Sequence, residues 1–269
     1  MKLLNDIKKY KDFILELLKI VPFNTFFAEN VVKETVNGKI FVDNLNAPQI
    51  FYILHPYGMS LLLGENCNGF DQKLFKYISN SDGNRDKVEW MQAYPDSWHP
   101  ILERMAYINK QTPLIEIDIR VNFNFNKAKY KDSKKSKTDD NIKILKTSAD
   151  DFENMTGSVI PRYFWNNSND FINNGVGYSL YYQKTLASIA FSSVVNQNYL
   201  ELGIETKKDF RGKNLAYKVC SALINHCIKK NLEPIWACRK ANVESYNLAK
   251  KLGFDEFLTT PYYKLHLDK

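Results

Sequence analysis

Long apolar runs are missing from this chain: no stretch comes near the roughly eighteen uninterrupted hydrophobic residues that a membrane span requires. The opening Met1-Lys-Leu-Leu-Asn-Asp-Ile-Lys-Lys mixes both signs of charge and lacks the apolar centre of a signal peptide. Cysteine is sparse. Cys67, Cys220, Cys227 and Cys238 follow no disulfide framework, and Cys220 and Cys227, two turns apart on one expected helix face, are too distant to bridge. Reduced thiols in a cytoplasmic protein are the expectation. His55, His99, His226 and His266 are scattered, and no Cys/His spacing suits zinc, so no metal is expected. Arginine is scarce beside lysine, and no nucleic-acid motif accompanies the formal charge of +7. Much of that excess collects between Lys127 and Asp140, where Asp and Ser interrupt the lysines as in a solvated connector. Neither nucleic acid nor membrane is an expected partner.

What is present is an ordinary globular balance over 269 residues, enough for two modest cores. The lysine-rich stretch divides them into an α/β companion domain over 1–126, a linker over 127–141 and a second domain over 142–269. In the first, Lys2 to Lys19 carries apolar residues at helical period. Strands are expected at 39–43, 49–54, 59–63, 88–92 and 113–125, and helices at 70–79 and 98–105. In the second, Ile142–Leu145 reads as a strand and Ser148 as the cap of a helix. Residues 161–173 are helical in part. Strands at 177–182, 186–191 and 200–206 precede a long helix stopped at Asn231. A strand at 234–238, a helix at 245–252 closed by Gly253, and strands at 254–258 and 262–267 complete a mixed, mostly antiparallel sheet flanked by helices.

The chemistry concentrates in Asp209-Phe-Arg-Gly-Lys-Asn-Leu-Ala216, where a strand hands over to a helix. A helix start presents unpaired N–H groups and the positive end of its dipole, a ready place for phosphate. Gly212 removes Cβ obstruction, Arg211 and Lys213 add charge, and Ala216 keeps the first turn small. Such a loop suits a pyrophosphate.

A second element follows about thirty residues on, Asn242-Val-Glu-Ser-Tyr-Asn-Leu-Ala-Lys-Lys-Leu-Gly-Phe254. Together the two resemble the GCN5-related N-acetyltransferase (GNAT) superfamily. Its Q/R-x-x-G-x-G/A pattern cradles the pyrophosphate of acetyl-CoA, and N-x-x-(A/S) followed by L-G-F lies on the next strand and helix. A closer resemblance, to the zwittermicin A resistance branch, is carried by several stretches. They are Phe171–Tyr178, Ile204–Thr206, Arg211–Lys213, Pro234–Cys238, Asn242 to Phe254 and, upstream, Gly38–Pro48. The resemblance implies an α/β GNAT fold in which the first domain is a degenerate GNAT-like companion that walls the acceptor cleft. It implies cofactor contacts at Ile204, Glu205, Thr206, Arg211, Gly212, Lys213, Asn214, Leu215, Ala216, Asn242 and Ser245. Asn214 stands where the pattern has its central glycine, and Ala249 where many members carry the tyrosine that protonates the leaving thiolate. Tyr246, Tyr262, Tyr263 or water are left for that task.

Amide formation needs a base for the amine and a fixed donor for the developing oxyanion. The resemblance places the donor among the backbone N–H groups of Leu202–Thr206, an edge that also pairs with the pantetheine arm. Glu201 and Glu205 alternate to one side of that strand, and either could accept the amine proton. Tyr163, Trp165, Tyr178 and Tyr181 are the aromatics available to an acceptor cleft. The expected function is transfer of an acetyl group from acetyl-CoA to a primary amine of a small molecule, in a monomer or homodimer. A cofactor-binding module without turnover and a protein or peptide N-acetyltransferase are the alternatives.

Overall fold

Periodic apolar residues build most of the helices, and the strand faces they cover set the layers. The computed structural model describes residues 1–67, 69–108, 113–130 and 139–267. The chain forms two compact units. The first comprises Met1–Val121, Arg239–Ala241 and Leu258–Lys269, and the second Asn122–Cys238 and Asn242–Phe257. This partition departs from the boundaries expected at 126, 127 and 141. The first unit's sheet draws in the end of the last strand, where Tyr263–Leu265 pair with Glu89–Met91. Part of the linker, residues 131–138, lies outside the described residues.

The first unit runs β1 (Lys2–Leu3), α1 (Lys11–Lys19), α2 (Phe26–Val32), β2 (Lys39–Val42), β3 (Phe51–Leu54), β4 (Met59–Leu63), α3 (Phe70–Ile78), β5 (Glu89–Tyr94), α4 (His99–Ala106) and the start of β6 (Ile115–Phe125). Alternation along the strands feeds two cores. Phe51, Ile53, Leu61 and Leu63 pack with Ile14, Leu18, Phe27 and Val31 from α1 and α2. Tyr52, Leu62, Met91 and Ala93 point the other way, onto Phe70, Leu74 and Leu102 of α3 and α4. The helix expected from Lys2 begins only at Lys11. Lys2 and Leu3 pair instead with Val42 and Phe41, satisfying their backbone at the sheet edge.

The second unit runs β7 (Ile142–Lys146), α5 (Ala149–Asn154), α6 (Ser168–Asn174), β8 (Gly177–Tyr182), β9 (Thr185–Val195), β10 (Tyr199–Thr206), α7 (Leu215–Lys230), β11 (Glu233–Arg239), α8 (Val243–Lys251) and the start of β12 (Phe254–Leu265). Ser148 and Asp151 form a reciprocal capping box that starts α5. Strands β7, β8, β9 and β10 are successively antiparallel, and β10 pairs β11 in parallel. In β9 the run Ala187–Val194 is buried without alternation, as befits a central strand covered on both faces. Helix α7 lays Leu215, Val219, Leu223 and Cys227 into the core. It stops at Asn231, left-handed with φ 55°, after which Leu232 N–H returns to the Cys227 carbonyl at 2.9 Å. The two closing strands expected at 254–258 and 262–267 are one strand, which passes through Pro261.

Both units thus follow one element order, β-α-α-β-β-β-α-β-α-β, with the parallel pair at the same place in each. The chain contains the same architecture twice. Among the described residues no helix is long and apolar enough to cross a membrane.

Candidate active site

The loop between β10 and α7 is shaped by backbone that ordinary residues resist. Gly212 has φ +77°, and a Cβ built there would meet nothing within 4 Å, so its surroundings are open. Asn214 is left-handed at φ 58° and forms the N-cap of α7. The αL tolerance of asparagine lets it stand where the GNAT pattern has glycine. The first helical bond runs from Lys218 N–H to the Asn214 carbonyl at 3.4 Å, so the amides of Leu215 and Ala216 begin the helix without an intrahelical acceptor.

Above this helix start the sheet opens. Strand β10 pairs with β9 from Leu200 to Thr206, but its registered pairing with β11 covers only Tyr199, Leu200 and Glu201. The register with β9 shifts between Glu201 and Leu202, leaving Ser193 as the extra residue, whose hydroxyl donates to the Glu201 carbonyl at 3.2 Å. Among the described residues, the edge of β10 away from β9 carries no registered strand from Leu202 to Thr206. In the first unit the corresponding pair, β4 and β5, stays registered from Met59–Trp90 to Leu63–Tyr94.

A cleft of about 700 Å³ lies at this opening. It brings together ten of the eleven expected cofactor residues: Ile204, Glu205, Thr206, Arg211, Gly212, Asn214, Leu215, Ala216, Asn242 and Ser245. Lys213 is not among the lining. Its ammonium lies 5.0 Å from the Tyr182 ring and 5.2 Å from that of Phe210. Asn242 Oδ1 accepts from Ser245 N–H at 3.1 Å, capping α8, while the Ser245 hydroxyl accepts from the Trp236 indole at 3.2 Å. Both residues are therefore held rigidly at the cleft wall.

Glu205 is buried, and its carboxylate is saturated with donors. Oε2 accepts from Ser158 N–H at 2.7 Å, Val159 N–H at 3.0 Å and the Ser158 hydroxyl at 3.2 Å. Oε1 accepts from Thr206 N–H at 3.1 Å and Arg211 Nη2 at 3.2 Å. Gly157 packs so close to this side chain that a Cβ there would fall within 2.5 Å of Glu205. Glu205 therefore ties the loop at 157–159 and the cleft arginine to β10. Arg211 is fixed further by Nε donating to the Thr206 carbonyl at 3.1 Å.

The other expected catalytic groups lie elsewhere. Glu201 is buried at 8% exposure and is not in the cleft lining. Tyr246 is also outside it, packed edge-on to Phe123, with its hydroxyl donating to Glu256. That acceptor raises the Tyr246 phenol above its ordinary pKa. Ala249 is fully buried on the inner face of α8. Tyr262 and Tyr263 belong to the first unit, where Tyr262 stacks on Trp90 and Tyr263 lies 2.8 Å from His99 Nδ1. The four candidate acceptor aromatics are also outside the cleft lining. Trp165 donates to the Ser192 carbonyl at 2.7 Å, and Tyr181 to Asp151. Tyr178 lies 3.3 Å from His226 Nδ1, and Tyr163 is exposed.

Sequence reasoning passes over seven lining residues: Ser158, Val159, Phe210, Tyr217, Glu244, Leu248 and Lys251. Those on α8 have a legible signal, because Glu244, Leu248 and Lys251 repeat at helical spacing beside Ser245. Ser158 and Val159 have none, since they arrive through the Glu205 anchor. Open amides at a helix start, two cations and an unpaired strand edge fit a diphosphate joined to an extended amide-bearing arm.

The family model described as GNAT acetyltransferase matches residues 22–263. The uncharacterized N-acetyltransferase YdfB of Bacillus subtilis (strain 168) is 22% identical over 260 residues, covering 94% of this chain and 95% of that protein. A GCN5-related N-acetyltransferase-like protein from Streptococcus suis 89/1591 superposes with TM-score 0.74 at 18% identity, over 97% of this chain and 100% of its own. A tandem GNAT protein from the clavulanic acid biosynthesis pathway superposes with TM-score 0.63 at 9% identity, over 100% and 99%.

Proposed function

The chain belongs to the GNAT acetyltransferase family, and from that premise we propose that it transfers the acetyl group of acetyl-CoA to a primary amine of a small molecule, by direct attack in a ternary complex. The observation that carries the reading is the divergence of β10 from β11 at Leu202, directly before the helix start at Leu215. Acetyl-CoA, when bound, supplies the acetyl group as a thioester. The chain holds its diphosphate with the Leu215 and Ala216 amides, Gly212 and Arg211. The open edge of Leu202–Thr206 pairs with the arm, and one of its N–H groups stands as donor to the thioester carbonyl oxygen. The ammonium gives a proton to water, the neutral nitrogen bonds to the thioester carbonyl carbon with loss of its second proton to water, and the C–S bond breaks to a thiolate that is protonated from water.

In this reading the second unit carries the chemistry. The first unit's β4 and β5 are registered throughout, and Trp98 donates to the Gly64 carbonyl at 2.6 Å in the loop that corresponds to the cofactor loop. The acceptor class rests on the resemblance to zwittermicin A resistance proteins and points to an aminopolyol-like amine, met in the cytoplasm by a monomer or homodimer. Of the two proposed bases, Glu205 alone lines the cleft, and its five hydrogen bonds favour an anchoring role, with water relaying the proton. A second reading, cofactor binding without turnover, is favoured by buried Ala249 and by the Tyr246 hydroxyl's engagement with Glu256.

Calorimetry with coenzyme A, followed by thiol release from acetyl-CoA across polyamines, aminoglycosides and aminopolyols, tests the proposal. Saturable heat with turnover on one amine is expected. Heat without turnover on any amine supports the second reading, and no heat with coenzyme A ends both.

A further inference from the structure

The cleft lining holds two cationic side chains, Arg211 and Lys251, and their surroundings differ. Arg211 is already paired: Nη2 meets Glu205 Oε1 at 3.2 Å and Nε meets a backbone carbonyl. Lys251 has only neutral partners among the described residues. Its Nζ donates to Asn214 Oδ1 at 2.8 Å and sits 4.7 Å from the centre of the Tyr217 ring. A neutral acceptor and a ring face hold an ammonium in place without cancelling its charge. Lys251 is thus an exposed cation on the wall of the cleft, held to neutral partners beside the N-cap of α7.

Coenzyme A carries two kinds of anion. The diphosphate suits the helix start and Arg211. The remaining group is the 3′-phosphate of the ribose, a monoester near two negative charges at neutral pH. With Lys213 outside the lining, Lys251 is the cation left for it among the described residues of the cleft. The departure of Asn214 from the glycine pattern then has a use, since a glycine there would supply no acceptor for the Lys251 ammonium. We propose that Lys251, positioned by Asn214 and the Tyr217 ring, receives the 3′-phosphate and so makes this enzyme selective for coenzyme A over ligands lacking that group. The proposal rests on the reading of the cleft as a coenzyme A site.

Calorimetric titration of the full chain with coenzyme A and with 3′-dephospho-coenzyme A at low ionic strength tests it. Wild type binds coenzyme A roughly ten- to hundredfold more tightly than the dephospho form, the range expected for a hydrogen bond to a charged group. In K251Q the preference collapses to within about twofold, with affinity for the dephospho ligand retained. N214G, which removes the lysine's acceptor, narrows the preference without abolishing it. R211Q weakens both ligands alike. If wild type binds the two ligands equally, or K251Q keeps the preference, the assignment to Lys251 is overturned while the acetyl-CoA reading stands. If neither ligand gives heat, the acetyl-CoA reading falls and takes the assignment with it.

Discussion

Replacing Glu205 by glutamine separates an anchor from a base. Its carboxylate takes three donors on Oε2 and two on Oε1. Glutamine offers one acceptor oxygen and one donor NH2. Whichever way the amide turns, the NH2 confronts either the Ser158 and Val159 amides or the Thr206 amide and Arg211. Leaving such buried donors unmatched costs about 1–3 kcal/mol. At roughly 2–4 °C per kcal/mol for a chain of this size, E205Q should melt about 2–12 °C lower. The loosened Arg211 should weaken coenzyme A binding in the same variant. The assay is thermal unfolding followed by tryptophan fluorescence, with kcat measured across pH on the best amine found. An anchor leaves the shape of the pH–rate profile intact. If instead the melting point is unchanged, kcat falls by about 10²–10⁴, and the acidic limb of the profile disappears, Glu205 is the general base and the anchoring argument is refuted.

Three further outcomes follow from other parts of the molecule. Because Arg211 lines the cleft and Lys213 does not, R211Q should raise the coenzyme A dissociation constant by roughly tenfold or more, while K213Q changes it less than about twofold by calorimetry; equal effects would misplace the diphosphate. Gly203 admits no side chain, since a Cβ would lie 2.4 Å from Phe191 Cζ. G203A should therefore lower stability by about 1–3 kcal/mol in urea unfolding, and an unchanged midpoint would contradict the packing of β9 on β10. His55 is buried, and desolvation, with Lys87 adding to it, lowers its pKa from 6.5 to about 4. The folded state then resists protonation, so stability is complete above pH 6.5 and is lost as pH falls from there towards 4. The difference amounts to about 3 kcal/mol. Comparing wild type with H55N in urea at pH 7 and pH 4 should isolate that loss, and parallel profiles would exclude it.

Local signals were strong enough to mark much of the second unit. Gly177–Tyr182 has the bounds expected from its apolar and turn residues, and so has Met59–Leu63 in the first unit. Asn231 and Gly253 stop α7 and α8 through positive φ, a conformation that asparagine tolerates and that glycine, having no Cβ, adopts freely. The cleft residues of the Arg211–Ala216 loop were legible because a helix start is a local object. Other features depend on what lies across from a residue. Helix α2 escapes notice because Phe26-Phe-Ala-Glu-Asn-Val-Val32 has an apolar run and no side-chain cap, yet burial of Phe27, Ala28, Val31 and Val32 fixes it. Pro261 suggests a break that β12 does not make. Glu205 looks like a free strand carboxylate until Ser158 and Val159, far away in sequence, arrive to donate to it.

The repeated element order gives an account of why, on the proposed reading, the second unit holds the cofactor. Both units place a parallel strand pair before their last helix, and both begin the helix between those strands at a left-handed residue, Gly69 in α3 and Asn214 in α7. The fold alone therefore does not make a site. Three differences do. In the second unit the parallel pairing ends at Glu201, whereas in the first it continues to Leu63 and spends on β5 the backbone groups that an extended ligand would need. The second unit enters its helix through Arg211-Gly-Lys213, whereas Gly64-Glu-Asn-Cys67 brings an acid and no cation. Finally, the Gly64 carbonyl is taken by the Trp98 indole, while Gly212 opens onto free space. Restoring a cation near Gly64 would not restore binding, because the strand edge there remains paired. On the proposed reading the deciding element is the bulge beside Glu201, where the registered pairing of β10 with β11 ends.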